Sequence, residues 1–369
     1  MKGPLTTQSL RGMANHGPMH WRGDRTGGND APSAQPDSGS LDERAAFEKF
    51  QVGFVGLLGR DAGIPAADME KFTDFILEVT YPPNPVANLD NSLTPDQQVG
   101  RDFMFNTSSD FVGTCQTCHV TDPNANPTVS APGFFGTSGT ATFEVTPQMM
   151  KVPHLRNLYQ KVGMFGMAEL NPFAVFPGNN GHQGDQIRGF GFTHDGAFDT
   201  VFRFMNVVGF SVIFPLNTDG FLPPPFGDPL RRQVESFLLA FPSNMAPVVG
   251  QQVTLTTDNQ NGSNPRIDLL IQRADQGECE LVAKATLLGN ELGFLYAGSG
   301  QFMRDRASLP PISDAALRAI ALFVHTPVTY TCVPPGSGER IGIDRDGDGF
   351  LDGDEEASGS DPADPASTP

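Results

Sequence analysis

The chain has 369 residues, 38% of them hydrophobic, and a net charge of −18, a size that suits roughly two or three domains, each burying a core. That acidity argues against nucleic acid and anionic membranes as partners, and no apolar run approaches the roughly 18 residues of a membrane-spanning helix. Gly (41), Pro (32) and Phe (29, against 4 Tyr and 1 Trp) describe a loop-rich chain with phenylalanine cores beneath the loops.

Residues 26–40 read as a polar loop. A helix is expected next, with Ser40 as N-cap and Glu43 at capping-box spacing. Phe47, Phe50, Phe54, Leu57 and Leu58 then recur at helical spacing. A second helix is predicted over about residues 66–79, stopped by Pro82 and Pro83. Thr94-Pro95 opens a third, with Pro at its first position, and Asp228-Pro229 opens another that runs to about Phe241. After a Pro-bearing joint at 242–247, the runs QQVTLTT, RIDLLIQ and CELVAKA read as short strands. Ser313 caps a helix that reaches about Val324, and the residues after Glu355 read as a linker or tail.

An internal repeat is present. Residues 6–19 resemble residues 151–164, with Leu10-Arg11 matching Leu155-Arg156 and Met19 matching Met164. Asp74-Phe75-Ile76-Leu77 likewise matches Ser236-Phe237-Leu238-Leu239. Residues 1–50 show no signal-peptide core. Together these features lead to the expectation that the chain begins inside its first repeat.

Cys115-Gln116-Thr117-Cys118-His119 is the strongest motif. Two thiols two residues apart can each add to a haem vinyl group, and the next residue then sets its imidazole on the iron. Half of a zinc site is the competing reading, but it needs a second Cys or His pair, and Cys279 and Cys332 are distant and single. For the sixth position of the iron, Met164, Met167, His194, Met205, His154 and His182 all lie downstream. A thioether would raise the potential and suit electron transfer, whereas an open position suits peroxide chemistry.

Residues 344–355 fit the 12-residue calcium loop. Asp344, Asp346, Asp348, Asp352 and Glu355 fall at positions 1, 3, 5, 9 and 12, Gly349 at position 6, and Phe350 offers its carbonyl at position 7. Gly359 and Pro362 preclude a long following helix, so the loop resembles dockerin-type and thrombospondin type 3 repeats, for which a structural role outside cells is implied. Cys279 and Cys332 are expected to pair in such an oxidising compartment, a bridge worth about 3–4 kcal/mol on the loop-entropy model.

CQTCH, KVPHLRNLY (151–159) and GFTHDGAFDTVFRFM (191–205) together resemble the haem modules of the bacterial di-haem cytochrome c peroxidase family. The resemblance implies haem c on Cys115 and Cys118, His119 as proximal ligand, Met205 as the distal one, and His194 in a structural turn. Trp21 is weighed both as an electron relay between haems and as a core aromatic.

The expected fold is multidomain, with mainly α cytochrome c-like modules followed by a small β-rich domain and a calcium-loop tail. Its parts are a partial module lacking its haem motif (1–88), a cytochrome c domain (89–247), a small β-rich domain with the disulfide (248–336) and the calcium loop (337–369). The expected function is electron transfer in the periplasm or outside the cell, with haem c and calcium bound, and with a redox protein or a second haem module as partner. A peroxidase-like di-haem oxidoreductase is the second reading. A surface-attached binding protein with ancillary haem is the third.

Overall fold

The computed structural model describes residues 5–14, 19–21, 42–110, 113–117, 119, 141–144, 148–151, 153–163, 189–194, 196 and 198–369. They divide into two compact units, Met1–Ala87 with Leu93–Asn244, and Asn88–Ser92 with Met245–Pro369.

The first unit holds α1 (Glu43–Glu48), α2 (Val52–Gly56), α3 (Ala66–Glu78), α4 (Pro95–Asn106), a two-stranded ladder of β1 (Ala141–Glu144) and β2 (Gln148–Lys151), α5 (Val201–Phe204) and α6 (Asp228–Leu239). Asp42 caps α1 by accepting from the Ala45 N–H, two residues beyond the expected Ser40, which lies outside the described residues. The helical stripe ends early: Leu57 and Leu58 are exposed. Thr94-Pro95 opens α4 as expected, and Thr94 and Gln97 add a capping box there that the sequence reading did not name. Gly100 lets α4 and α6 meet, since a Cβ there would lie 2.1 Å from the Gln233 carbonyl oxygen. Phe103, Met104, Phe192, Phe198, Phe221 and Phe237 make the core between these helices.

The two repeated segments share a backbone feature. Gly12 and Asn157, each following the Leu-Arg pair, both take φ of 64°, the left-handed region. Arg156, fully buried, donates to the Gly12 carbonyl and to Asn244 Oδ1 at 2.8 and 2.9 Å. The turns after α3 and α6 are also tied to one another. Asn84 donates to the Leu239 and Phe241 carbonyls, while Asn244 accepts from the Tyr81 N–H.

The second unit is a six-stranded antiparallel sheet with helices. Its strands are β3 (Gln252–Leu255), β4 (Glu280–Leu287), β5 (Asn290–Gly298), β6 (Gln301–Arg304), β7 (Ile312–Ser313) and β8 (Val328–Val333), in the order β3-β8-β4-β5-β6-β7. Its helices are α7 (Gln260–Asp275), α8 (Asp314–Phe323), α9 (Gly338–Gly342) and α10 (Asp352–Ser358). Leu281, Ala283 and Ala285 pack with Ile267 and Leu270 of α7 and Leu317 of α8. The alternate residues of β4 turn the other way, where Val282 underlies Gly342 of α9 and Lys284 reaches Asp352. The Cys279–Cys332 disulfide, with its Cα atoms 5.5 Å apart, joins the start of β4 to β8.

This architecture overturns the expectation of mainly α cytochrome c-like modules followed by a small β-rich domain. The largest assembly among the described residues is the six-stranded sheet, and helices and strands occur in both units. RIDLLIQ, read as a strand, lies inside the 16-residue α7. Its apolar residues Ile267, Leu270, Ile271 and Ala274 follow helical spacing onto the core, and Pro265 and Gly262 upstream disguise it. In the first unit the helices are short: α1, α2 and α5 have 6, 5 and 4 residues.

Candidate metal centres

The cysteine motif follows α4. Asp110 and Gly113 exchange backbone hydrogen bonds at 3.1 Å, and a single 3₁₀ turn then spans Cys115–Thr117. Gln116 fastens this turn to α4 by donating to the Phe105 carbonyl, and the His119 N–H donates to the Cys115 carbonyl. Cys115 packs at the edge of the phenylalanine core, with its sulfur 3.6 Å from Ser109 Oγ. Cys118 lies outside the described residues.

The His119 ring is fixed by its Nδ1–H, which donates to the Pro153 carbonyl at 2.9 Å. A carbonyl only accepts, so the proton sits on Nδ1 and the Nε2 lone pair is left as the ring's ligating atom. Loss of hydration around the ring holds the imidazole below the ordinary histidine value, with the Pro153 carbonyl pulling the other way. Pro153 opens the PHLRN segment, whose Arg156 is clamped to Gly12. The ring orientation is thus set by a segment anchored in both repeats.

Met205 ends α5 and is buried in the same phenylalanine cluster that Cys115 borders. Its carbonyl accepts from Nε of Arg231 at 3.2 Å. Of the other sixth-ligand candidates, Met164, Met167 and His182 lie outside the described residues. His154 is engaged at both ring nitrogens, Nε2 with the Tyr81 hydroxyl and Nδ1 accepting from the Arg156 N–H. His194 offers its carbonyl to the Thr6 N–H, and the Trp21 indole N–H donates to the Thr6 carbonyl. Met13 and Met19 are core residues beside Phe47, Met69 and Ile76.

An imidazole with Nε2 as its ligating atom and a buried thioether are donor types that would suit a haem iron, and Cys115, at the edge of the apolar cluster, is a thiol of the kind that would add to a haem vinyl group. Sequence reasoning passed over Arg231, although its signal was present. It shares the buried face of α6 with Val234, Glu235 and Leu238, at helical spacing where an arginine is out of place.

The acidic loop lies between α9 and α10. Asp344, Asp352 and Glu355 are buried, and carboxylate oxygens of Asp344, Asp346 and Asp348 lie within 4.8 Å of one another. Asp344 accepts from the Gly347 and Gly349 N–H groups, Asp346 from Asp348, and Asp348 from Phe350. Gly347 and Gly349 take φ of 76° and 95°, as the tight loop requires. Asp352 accepts from the Arg345 N–H and lies 3.6 Å from Lys284 Nζ. Glu355 is 0% exposed, yet among the described residues neither of its carboxylate oxygens has a hydrogen-bond partner, nor have Asp346 Oδ2 and Asp348 Oδ2. Burial first, then the charges of Asp346, Asp348, Asp352 and Asp344, push the Glu355 carboxyl up. The short α10 ends at Gly359 in the left-handed conformation.

Among the described residues, no helix is long and apolar enough to cross a membrane. Comparison of the chain with protein-family models, with curated proteins and with solved structures finds no match.

Proposed function

We propose that this chain is a c-type haem protein that transfers electrons, with haem bound through Cys115, Cys118 and His119 and with Met205 as the second axial ligand. The observation that carries the reading is the hydrogen bond from His119 Nδ1 to the Pro153 carbonyl. It fixes the tautomer and presents Nε2 as the ligating atom, the second support that metal-bound histidines use. Haem iron, when bound, supplies a one-electron couple. The residues of this chain do the rest. Cys115 and Cys118 would tether the group, and His119 would donate to the iron. The apolar cluster of Phe103, Phe198 and Phe221 that encloses Met205 would exclude water from a group bound there, and the Met205 thioether would favour the reduced state. The partner is a redox protein or a second haem module outside the cytoplasm, met without covalent contact.

The same reading gives the acidic loop to calcium. Its donors are all oxygen, and the unpartnered Glu355 carboxylate is buried among aspartates, an arrangement that suits a hard cation held for structure.

Absorption spectra of the ferric and ferrous holoprotein, with and without peroxide, test the haem reading. A far-red thioether-to-iron band unchanged by peroxide is expected. A high-spin spectrum that peroxide shifts would replace the electron carrier with a peroxidase-like site.

A further inference from the structure

The two copies of the repeat close the same turn with different side chains. In the first, Ser9 Oγ accepts from the Arg11 N–H at 3.1 Å, and in the second, His154 Nδ1 accepts from the Arg156 N–H, also at 3.1 Å. Each acceptor stands just before a Leu-Arg pair, and each pair leads into a residue with φ of 64°. A serine side chain ends at that bond, whereas an imidazole has a second nitrogen. With Nδ1 accepting, the neutral His154 ring carries its proton on Nε2, and this N–H donates to the Tyr81 hydroxyl at 3.1 Å. Tyr81 is buried and is itself held, because its N–H donates to Asn244 Oδ1, which also accepts from Arg156 Nη1. Its ring lies against Gly12, where a Cβ would come within 2.5 Å of Tyr81 Cδ2. The His154 ring is thus fixed at one end in its own turn and at the other on a tyrosine packed against the first copy. Directly before it stands the Pro153 carbonyl, the acceptor of the His119 Nδ1–H. A peptide unit turns as one plane, so the direction of that carbonyl is tied to the backbone of His154.

We propose that His154 is a positioning residue for His119: its Nδ1 closes the turn that aims the Pro153 carbonyl at the His119 ring, and its Nε2–H bond to Tyr81 holds that turn still. The role takes His154 out of the candidates for the iron, since both of its ring nitrogens are spent on the turn and the tyrosine. What it does to a potential rests on the haem reading above, whereas what it does to the His119 proton does not. A hydrogen bond from Nδ1–H makes the opposite nitrogen a stronger donor, which favours the ferric state. A well-aimed Pro153 carbonyl therefore lowers the potential, and a misaimed one raises it.

The test uses the full chain with isotope-labelled histidine and follows solvent exchange of the His119 Nδ1 proton by NMR, with the midpoint potential read on the haem-loaded ferrous and ferric forms. His154→Ala removes both bonds. Exchange of the His119 proton is expected to quicken roughly tenfold, the worth of about one hydrogen bond, and the potential to rise. His154→Ser, which installs the residue of the first copy, restores the turn without the tie to Tyr81, and Tyr81→Phe removes only that tie. Both are expected to fall between His154→Ala and the wild type. The proposal is overturned if His154→Ala, folded as the wild type by circular dichroism, leaves the exchange rate unchanged, or if His154→Ser recovers none of the loss. Should His154→Ala fail to fold, Tyr81→Phe decides, and unchanged exchange in that variant overturns the proposal. A wild-type chain that carries no haem would instead sink the underlying reading, while exchange of the His119 proton in the haem-free chain would still decide the role of His154.

Discussion

In the C-terminal unit, Ala283 faces Tyr330 across a ladder, and strand after strand closes its backbone hydrogen bonds the same way. In the N-terminal unit, Asn217 alone donates to the carbonyls of Ser109, Gly209 and Ser211, and Arg156, Arg231 and Asn84 serve other loops likewise. The first arrangement satisfies the main chain with itself, and the second satisfies it with buried side chains. Buried main-chain groups must be paired either way. The difference shows that a unit of short helices and long loops leans on buried polar residues throughout, where the sheet unit uses them only at particular points, such as Asp305 on the Gly293 N–H and Arg273 on the Asp90 carbonyl. It also places the vulnerable points of the two units differently: covalent and ionic cross-links in one, close helix contacts and caps in the other.

The largest expected effect breaks the sheet side of this contrast. Replacing Cys279 and Cys332 with Ala removes a cross-link spanning 53 residues, which is expected to cost about 4 kcal/mol. Hydrogen exchange resolved by segment is expected to rise across β4 and β8 and to stay unchanged in α4 and α6. Equal loss in both units would break the comparison.

Chelating calcium is next. With calcium at a hundredfold excess over its dissociation constant, removal is expected to cost the C-terminal unit about 2.7 kcal/mol. The loss of exchange protection should centre on residues 338–358. Glu355→Gln is expected to abolish calcium's effect on thermal unfolding, because it removes the buried carboxylate at position 12. A melting curve that calcium still raises in this variant would exclude Glu355 as a ligand.

Gly100→Ala addresses the N-terminal unit. Its methyl meets the Gln233 carbonyl, so α4 and α6 are pushed apart, at an expected cost of about 2 kcal/mol. Exchange in both helices should quicken while β4 and β8 hold. Thr94→Ala removes the side-chain half of the α4 capping box, for which about 1 kcal/mol is expected. A chemical-denaturation midpoint left where it was would show that tertiary packing alone sets the start of α4.

Legibility in the sequence follows the same contrast. Where local chemistry decides, the sequence speaks plainly. Thr94-Pro95 and Ser313 cap the helices they were expected to cap, and β3 and β4 coincide with alternating runs. The spacing of Asp344, Asp346 and Asp348 was legible as one cluster, and Gly349 takes the positive φ that a tight loop there requires. The α7 helix was not legible, because Gly262 and Pro265 in its opening turns argue against a helix, while burial of Ile267 and Leu270 decides for it. The clamps made by Arg156 and Arg231 were also hidden. Gly12 is 144 positions from Arg156, and Met205 is 26 from Arg231. Only the fold reveals which carbonyl such a side chain serves. The acceptor of the His119 proton, Pro153, lies 34 residues downstream and was illegible for the same reason.

The most direct test of the haem reading is the intact mass of the full chain, matured in a cell that attaches haem c and measured under denaturing conditions. One covalent haem per chain is expected, absent after Cys115→Ser with Cys118→Ser and retained as a loosely ligated, low-potential form after His119→Ala. A wild-type chain whose mass equals that of its amino acids alone would contradict the haem reading.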